Sequence, residues 1–151
     1  MIIKEVENEQ EAKKCNELLT LLIHSESEYD TNLNKDYIVS NWFENIYQNE
    51  YNKIFIAIEN DEIMGYIYCK LNFIESDVTN ELEALIDGLY VEERFRNQGI
   101  ATALINKAKE WSKLNGAKYI NVNVLDKNTN ALNLYKSNEF RDYERKLKCE
   151  L

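Results

Sequence analysis

Apolar residues along this chain change period several times, and each change marks an element. Met1 to Val6 (MIIKEV) is a short apolar segment that reads as a strand. Asn8 then precedes Ala12, Cys15, Leu18, Leu19, Leu22 and Ile23, whose three-and-four spacing predicts an amphipathic helix closing at His24. Residues 25–35 are polar and rich in turn formers. A second helix is expected from about Asp36, with Tyr37, Ile38, Trp42, Phe43, Ile46 and Tyr47 on one face. Lys53–Glu59 (KIFIAIE) and Glu62–Leu71 (EIMGYIYCKL) are β-type runs joined by Asn60-Asp61, the mark of an antiparallel hairpin. After a loop over Asn72–Asn80, Glu81–Val91 reads as a strand and Ala101–Leu114 as the main helix, closed by Asn115-Gly116. Lys118–Leu125 alternates as a strand, Asn128–Ser137 is a short helix, and Phe140–Leu147 is a last strand. The order is β-α-α-β-β-β-α-β-α-β. With no repeat, no linker and no proline, one domain over 1–151 is expected.

The junction between the sixth and seventh of these elements carries the most chemistry. Leu89 to Leu104 reads LYVEERFRNQGIATAL: a strand stops, a charged turn crosses, and a helix starts near Gln98-Gly99. A helix start leaves backbone N–H groups without partners and adds partial positive charge. Gly99 lets an anion approach the backbone without meeting a Cβ, and Arg94 and Arg96 stand just upstream. Together these can hold a pyrophosphate. They also suit an ordinary turn with solvated arginines.

Composition narrows the partners. The 151 residues are 44% hydrophobic and 30% charged, as in an ordinary globular chain. No apolar run approaches the ~20 residues of a membrane span, and no signal peptide is evident, so a cytoplasmic protein without a membrane partner is expected. The net charge of −9 argues against nucleic acid. Glu92 to Lys113 nevertheless holds five bases and three acids, leaving 13 bases and 24 acids elsewhere. The candidate phosphate-binding segment is thus basic within an acidic protein whose field favours cationic substrates such as amines. Cys15, Cys69 and Cys149 are scattered and read as reduced, mostly buried thiols, with neither a disulfide framework nor a metal site. His24 suits a helix end better than a general base. Tyr29, Tyr37, Trp42 and Tyr47 could line a substrate pocket, and core is the favoured reading.

Arg96-x-x-Gly99-x-Ala101 resembles the R/Q-x-x-G-x-G/A signature of the GNAT superfamily of acyl-CoA-dependent N-acetyltransferases. Val91, five residues before the arginine, stands where that family ends its central strand. Asn128-x-x-Ala131-x-x-Leu134-Tyr135, followed by Phe140, is similar to the family's second recurrent segment, about thirty residues on. The chain departs from the pattern at Glu93, often proline, at Asn97 and Ala101, often glycine, and at Glu139, usually glycine. The resemblance implies an α+β fold of three layers, α/β/α, around a mixed, mostly antiparallel sheet. It implies acetyl-CoA as cosubstrate, no metal, a small-molecule or peptide amine as acceptor, and a homodimer as a common arrangement.

By the same resemblance, Leu89, Val91, Arg94, Arg96, Asn97, Gln98, Gly99, Ile100, Ala101, Thr102, Asn128, Ala131 and Tyr135 border acetyl-CoA. Asn128 either caps its helix or bonds the pantetheine arm. Tyr135, seven residues on and so on the same helical face, would act as general acid toward the CoA sulfur. Glu83 and Asp87, four apart on the central strand, share a face and are candidate bases, or else pair with a cation. Leu85 holds the family's usual base position. The reaction expected is direct attack of an amine on the thioester. A CoA-sensing module without catalysis is the rival. A nucleotide-binding domain of another class is a weaker one, since a single glycine is neither G-x-G-x-x-G nor a P-loop.

Overall fold

The computed structural model describes residues 1–72 and 81–151. Five strands form one sheet whose spatial order follows the sequence: β1 (Ile2–Glu5), β2 (Asn52–Glu59), β3 (Glu62–Asn72), β4 (Glu83–Val91) and β5 (Tyr119–Val122). β1 to β4 are antiparallel neighbours. β4 and β5 are parallel, because α3 (Ile100–Leu114) crosses over between them. The other helices are α1 (Glu9–Glu26), α2 (Trp42–Ile46) and α4 (Thr129–Ser137). Among the described residues no helix is long and apolar enough to cross a membrane.

Alternation along the strands divides the apolar residues between two cores. Phe55, Ala57, Ile67, Cys69 and Ile86 face one way and pack with Leu104, Ile105, Ala108 and Trp111 of α3 and Tyr135 of α4. Ile54, Ile56, Tyr66, Tyr68 and Tyr90 face the other way and pack with Ala12, Cys15 and Leu18 of α1 and Phe43 of α2. The mixed α+β, three-layer fold expected from the sequence is the one observed.

Local signals act as anticipated. Asn8 caps α1 by accepting the Glu11 N–H at 2.9 Å. Asn60 and Asp61, at φ 50° and 63°, turn the β2–β3 hairpin in the left-handed geometry that matches strand twist. His24 commits its Nε2 to the Tyr37 carbonyl at 2.8 Å, a structural tie. Burial raises the thiol of Cys15 far above its usual value and that of Cys69 to about 12, so both are inert; Cys149 is exposed.

Two expectations fail. The second helix shrinks to Trp42–Ile46, since residues 34–41 bond otherwise: the Asp36 N–H donates to Asn34 Oδ1, the Val39 N–H to Thr20 Oγ1, and Asn41 is left-handed. Tyr37 and Trp42 are therefore half exposed rather than core, and only Phe43 of this face is fully buried. The last strand, Phe140–Leu147, pairs with nothing: residues 141–151 are exposed and outside the sheet. From residue 73 to 80, the expected loop lies outside the described residues.

Glu139 turns the chain at φ 70°, where a side chain other than glycine is strained. The Lys109 ammonium holds this turn, donating to the Asn138 carbonyl at 2.6 Å and the Glu139 carboxylate at 3.2 Å. Since that carboxylate is almost wholly exposed, its ion pair contributes little. Replacing Glu139→Gly should therefore raise unfolding stability by about 1 kcal/mol. Chemical denaturation reads this as a higher midpoint at unchanged slope; a lower midpoint would mean the turn carries no strain.

Candidate active site

β4 is paired on both sides only along its first half. Its ladder with β5 runs from Glu83↔Tyr119 to Ile86↔Val122 and stops, while β4 continues to Val91. A bulge lies at the same place: Tyr68 faces Gly88 and Cys69 faces Ile86, so Asp87 is the extra residue on β4. Bulges increase local twist, which turns the end of β4 away from β5. Gly88 follows because a Cβ there would stand 2.8 Å from the Tyr66 hydroxyl.

Beyond the bulge, backbone direction is set by the pairing with β3. The Glu92 N–H donates to the Met64 carbonyl at 3.0 Å. Antiparallel alternation then directs the polar groups of Tyr90 toward β3 and those of Leu89 and Val91 toward the gap beside β5. The Val91 carbonyl is already used, accepting from Arg96 Nε at 3.0 Å. An extended amide-bearing ligand could add to this edge as a strand would.

The gap leads to the start of α3. Asn97 and Gly99 are both left-handed, at φ 61° and 78°. Asparagine is among the few side chains that tolerate this, which explains how it stands in a glycine position. The first helical bond runs from the Ala103 N–H to the Gly99 carbonyl at 3.0 Å, and no side chain caps the helix. Among the described residues the amides of 97–102 have no acceptor. A Cβ built on Gly99 meets nothing within 4 Å, so the helix start opens onto space that suits a phosphate-bearing group.

Tyr135 lies on α4 within the α3-side core. It is 7% exposed, its ring lies edge-on to Phe140, and its hydroxyl has no hydrogen-bond partner among the described residues. Burial, with a smaller contribution from Glu26, raises its pKa well above the usual phenol value. Asn128 caps α4 by accepting the Ala131 N–H at 3.1 Å. Asn138 Nδ2 lies 3.3 Å from Thr102 Oγ1, tying α4 to the first turn of α3.

A protein-family model described as the acetyltransferase (GNAT) family matches residues 15–140. The chain belongs to that family. It is 34% identical over 90 residues to an uncharacterised N-acetyltransferase, MJ1207, of Methanocaldococcus jannaschii, covering 60% of this chain and 39% of the relative. It is 28% identical over 95 residues to the uncharacterised N-acetyltransferase YhfO of Bacillus subtilis, covering 63% and 62%. The matches thus span less than two thirds of these relatives' lengths. Among solved structures, a mutant form of the BH1408 protein from Bacillus halodurans superposes with TM-score 0.89 at 20% identity, over 100% and 99% of the two chains. The aminoglycoside N-acetyltransferase AAC(6')-Iy in complex with CoA superposes with TM-score 0.76 at 17% identity, over 99% and 98%. At such identities these two show the fold.

Within this GNAT chain the residues singled out from sequence converge unevenly. Leu89 and Val91 stand at the end of β4, Asn97 and Gly99 make the left-handed turn, and Gln98, Ala101 and Thr102 flank the start of α3, whereas Ile100 is buried in the α3-side core. Arg94 is drawn to the β2–β3 hairpin instead, bonding Glu62 and, at 3.2 Å, Glu92. Arg96 lies over the Tyr90 ring and 3.8 Å from Glu93, so both guanidiniums have carboxylate partners. The side-chain oxygen of Asn128 is used by its cap, and Ala131 packs against the α3-side core. Glu83 accepts from Asn121 Nδ2 at 2.7 Å, and Asp87 pairs with Lys70 at 3.0 Å.

Sequence reasoning missed Glu26. It ends α1, half-buried, and burial raises its carboxyl pKa. Its charge reaches both Tyr66 and Tyr135. Leu18, Leu22 and Glu26 follow at four-residue steps, so an acid on the apolar stripe was the available signal.

Gly99→Val sets a β-branched side chain at φ 78° and fills the space over the helix start. The strain of roughly 1–2 kcal/mol is small beside typical domain stability, so the variant should fold. Its affinity for CoA, read by calorimetry, should fall at least tenfold, and a folded variant binding CoA normally would exclude the helix start as the diphosphate site.

Proposed function

We propose that this protein transfers an acetyl group from acetyl-CoA to a primary amine of a small molecule or peptide. The observation that carries the proposal is the unpaired edge of β4 leading into the uncapped, glycine-opened start of α3. One end takes the amides of a pantetheine arm, and the other takes a diphosphate. Family membership and the fold shared with a CoA-bound aminoglycoside acetyltransferase support the same donor.

The chain's groups then divide the work. An amine like that of lysine must lose a proton before attack, which at pH 7 costs roughly 4.6 kcal/mol. Three carboxylates are candidates for that proton. Glu83 and Asp87 already serve Asn121 and Lys70, and their negative charge suits binding of a cationic amine. Glu26, half-buried and with its carboxyl raised by burial, is a third candidate base beside them. Backbone N–H groups at the end of β4 are placed to polarise the thioester oxygen.

Tyr135 faces the departing thiolate. A free phenol near pKa 10 is already a weaker acid than a thiol near 8.5, and burial widens that gap. Complete proton transfer is therefore uphill. Tyr135 instead donates a hydrogen bond that shares its proton as the C–S bond breaks, and the CoA sulfur ends protonated from solvent.

Thiol release from acetyl-CoA across a panel of peptide, polyamine and aminoglycoside amines tests the activity. No release with any amine, despite CoA binding, would favour a CoA-sensing module. With an active amine, Tyr135→Phe should lower kcat roughly ten- to hundredfold, at or below the low end for loss of a full general acid. Its acetyl-CoA affinity should be unchanged. Unaltered turnover would remove Tyr135 from the chemistry.

A further inference from the structure

The strands β3, β4 and β5, which border the gap, contain one basic residue between them, Lys70. Its ammonium donates at 3.0 Å to Asp87, the extra residue of the bulge. Lysine and aspartate are both uncommon inside a sheet. Here they stand where β4 leaves β5: the ladder between those strands ends at Ile86↔Val122, and Asp87 follows.

Alternation puts this pair on the face of the sheet opposite α3. Lys70 shares the parity of Tyr66 and Tyr68, which pack toward α1, whereas Ile67 and Cys69 pack toward α3. Burial raises the Tyr68 hydroxyl to about 12, and the charge of Asp87 adds to that shift from the same face. The start of α3 holds the diphosphate in the reading above, so the face away from α3 is left for the amine. Both partners can be reached there, since their side chains are 34% and 40% exposed. An ion pair so exposed is weak, and opening it costs little. A ligand carrying only an ammonium would take Asp87 and leave Lys70 to water. A ligand carrying an ammonium and a carboxylate replaces one ion pair with two, and the two contacts fix its orientation.

We propose that the acceptor is a free α-amino acid, with its ammonium on Asp87 and its carboxylate on Lys70, an inference that rests on the acetyl transfer proposed for this site. The two charges of such a molecule lie a single carbon apart, which suits two side chains that touch when no ligand separates them. Attack forms the N–C bond and breaks the C–S bond. The nitrogen gives up two protons in all, and the departing thiolate takes one back from solvent. The acetylated nitrogen carries no charge, so Asp87 returns to Lys70 and displaces the product's carboxylate. The pair therefore admits the zwitterion and releases the amide.

Thiol release is to be compared between the standard amino acids and the amines obtained by decarboxylating them, which differ in the carboxylate alone. For the best acceptor, wild-type kcat/KM should favour the amino acid by roughly tenfold or more. Lys70→Met should abolish that preference through the KM of the amino acid, with acetyl-CoA affinity by calorimetry unchanged. Lys70→Arg, which keeps the charge, should restore it in part. Wild-type protein that turns over the decarboxylated amines equally well overturns this proposal and leaves the transferase reading intact. So does a preference that survives in a folded Lys70→Met variant. Absence of thiol release with every amino acid and amine overturns both.

Discussion

The candidate site depends on β4 losing its partner halfway along. A strand inside a sheet has its backbone groups satisfied on both sides, and such a strand offers a ligand nothing. Here the extra residue at Asp87 twists β4 as its ladder with β5 ends at Ile86↔Val122. Leu89 and Val91 then present backbone groups to a gap rather than to a neighbour. The cost of leaving them unpaired is tolerable because the gap is open to water, and a ligand's amides can replace that water.

The rest of the molecule keeps this half-finished edge in place. β3 holds the other side of β4 along its whole length, and the two cores grip the sheet from opposite faces. Tyr66 lies beneath the bulge with its hydroxyl buried, bonded to nothing among the described residues and aimed at the backbone of Gly88. That arrangement costs a hydrogen bond, and it crowds the position after the bulge so that glycine fits there best. Asn16 joins α1 to α2 by accepting the Phe43 N–H at 3.0 Å. Rigid elements thus surround an edge on which Arg96 already holds the Val91 carbonyl.

Electrostatics shape the site less through its arginines than through its backbone. The sequence segment from Glu92 to Lys113 has a positive balance, yet Arg94, Arg96, Lys107 and Lys109 all meet carboxylates in the fold. Among the described residues, what remains without a carboxylate at the start of α3 is the partial charge of the helix itself. Among the carboxylates, Glu83 is engaged by Asn121 and Asp87 by Lys70, while Glu26 is half-buried at the end of α1.

Periodicity alone determined most elements, because each strand and each long helix buries one face and so carries its spacing in the residue order. The glycine at 99, the caps at Asn8 and Asn128 and the turn at Asn60-Asp61 were legible for the same local reason. What the chain's order could not decide was anything set by competition between distant groups. The second helix yielded to Thr20 and Asn34, Arg94 turned to Glu62, and burial in the fold raised the carboxyl of Glu26. The strand pattern after Phe140 is written plainly in the residues, but a strand exists only where a neighbour pairs with it. Only the tertiary structure could decide that its own sheet does not.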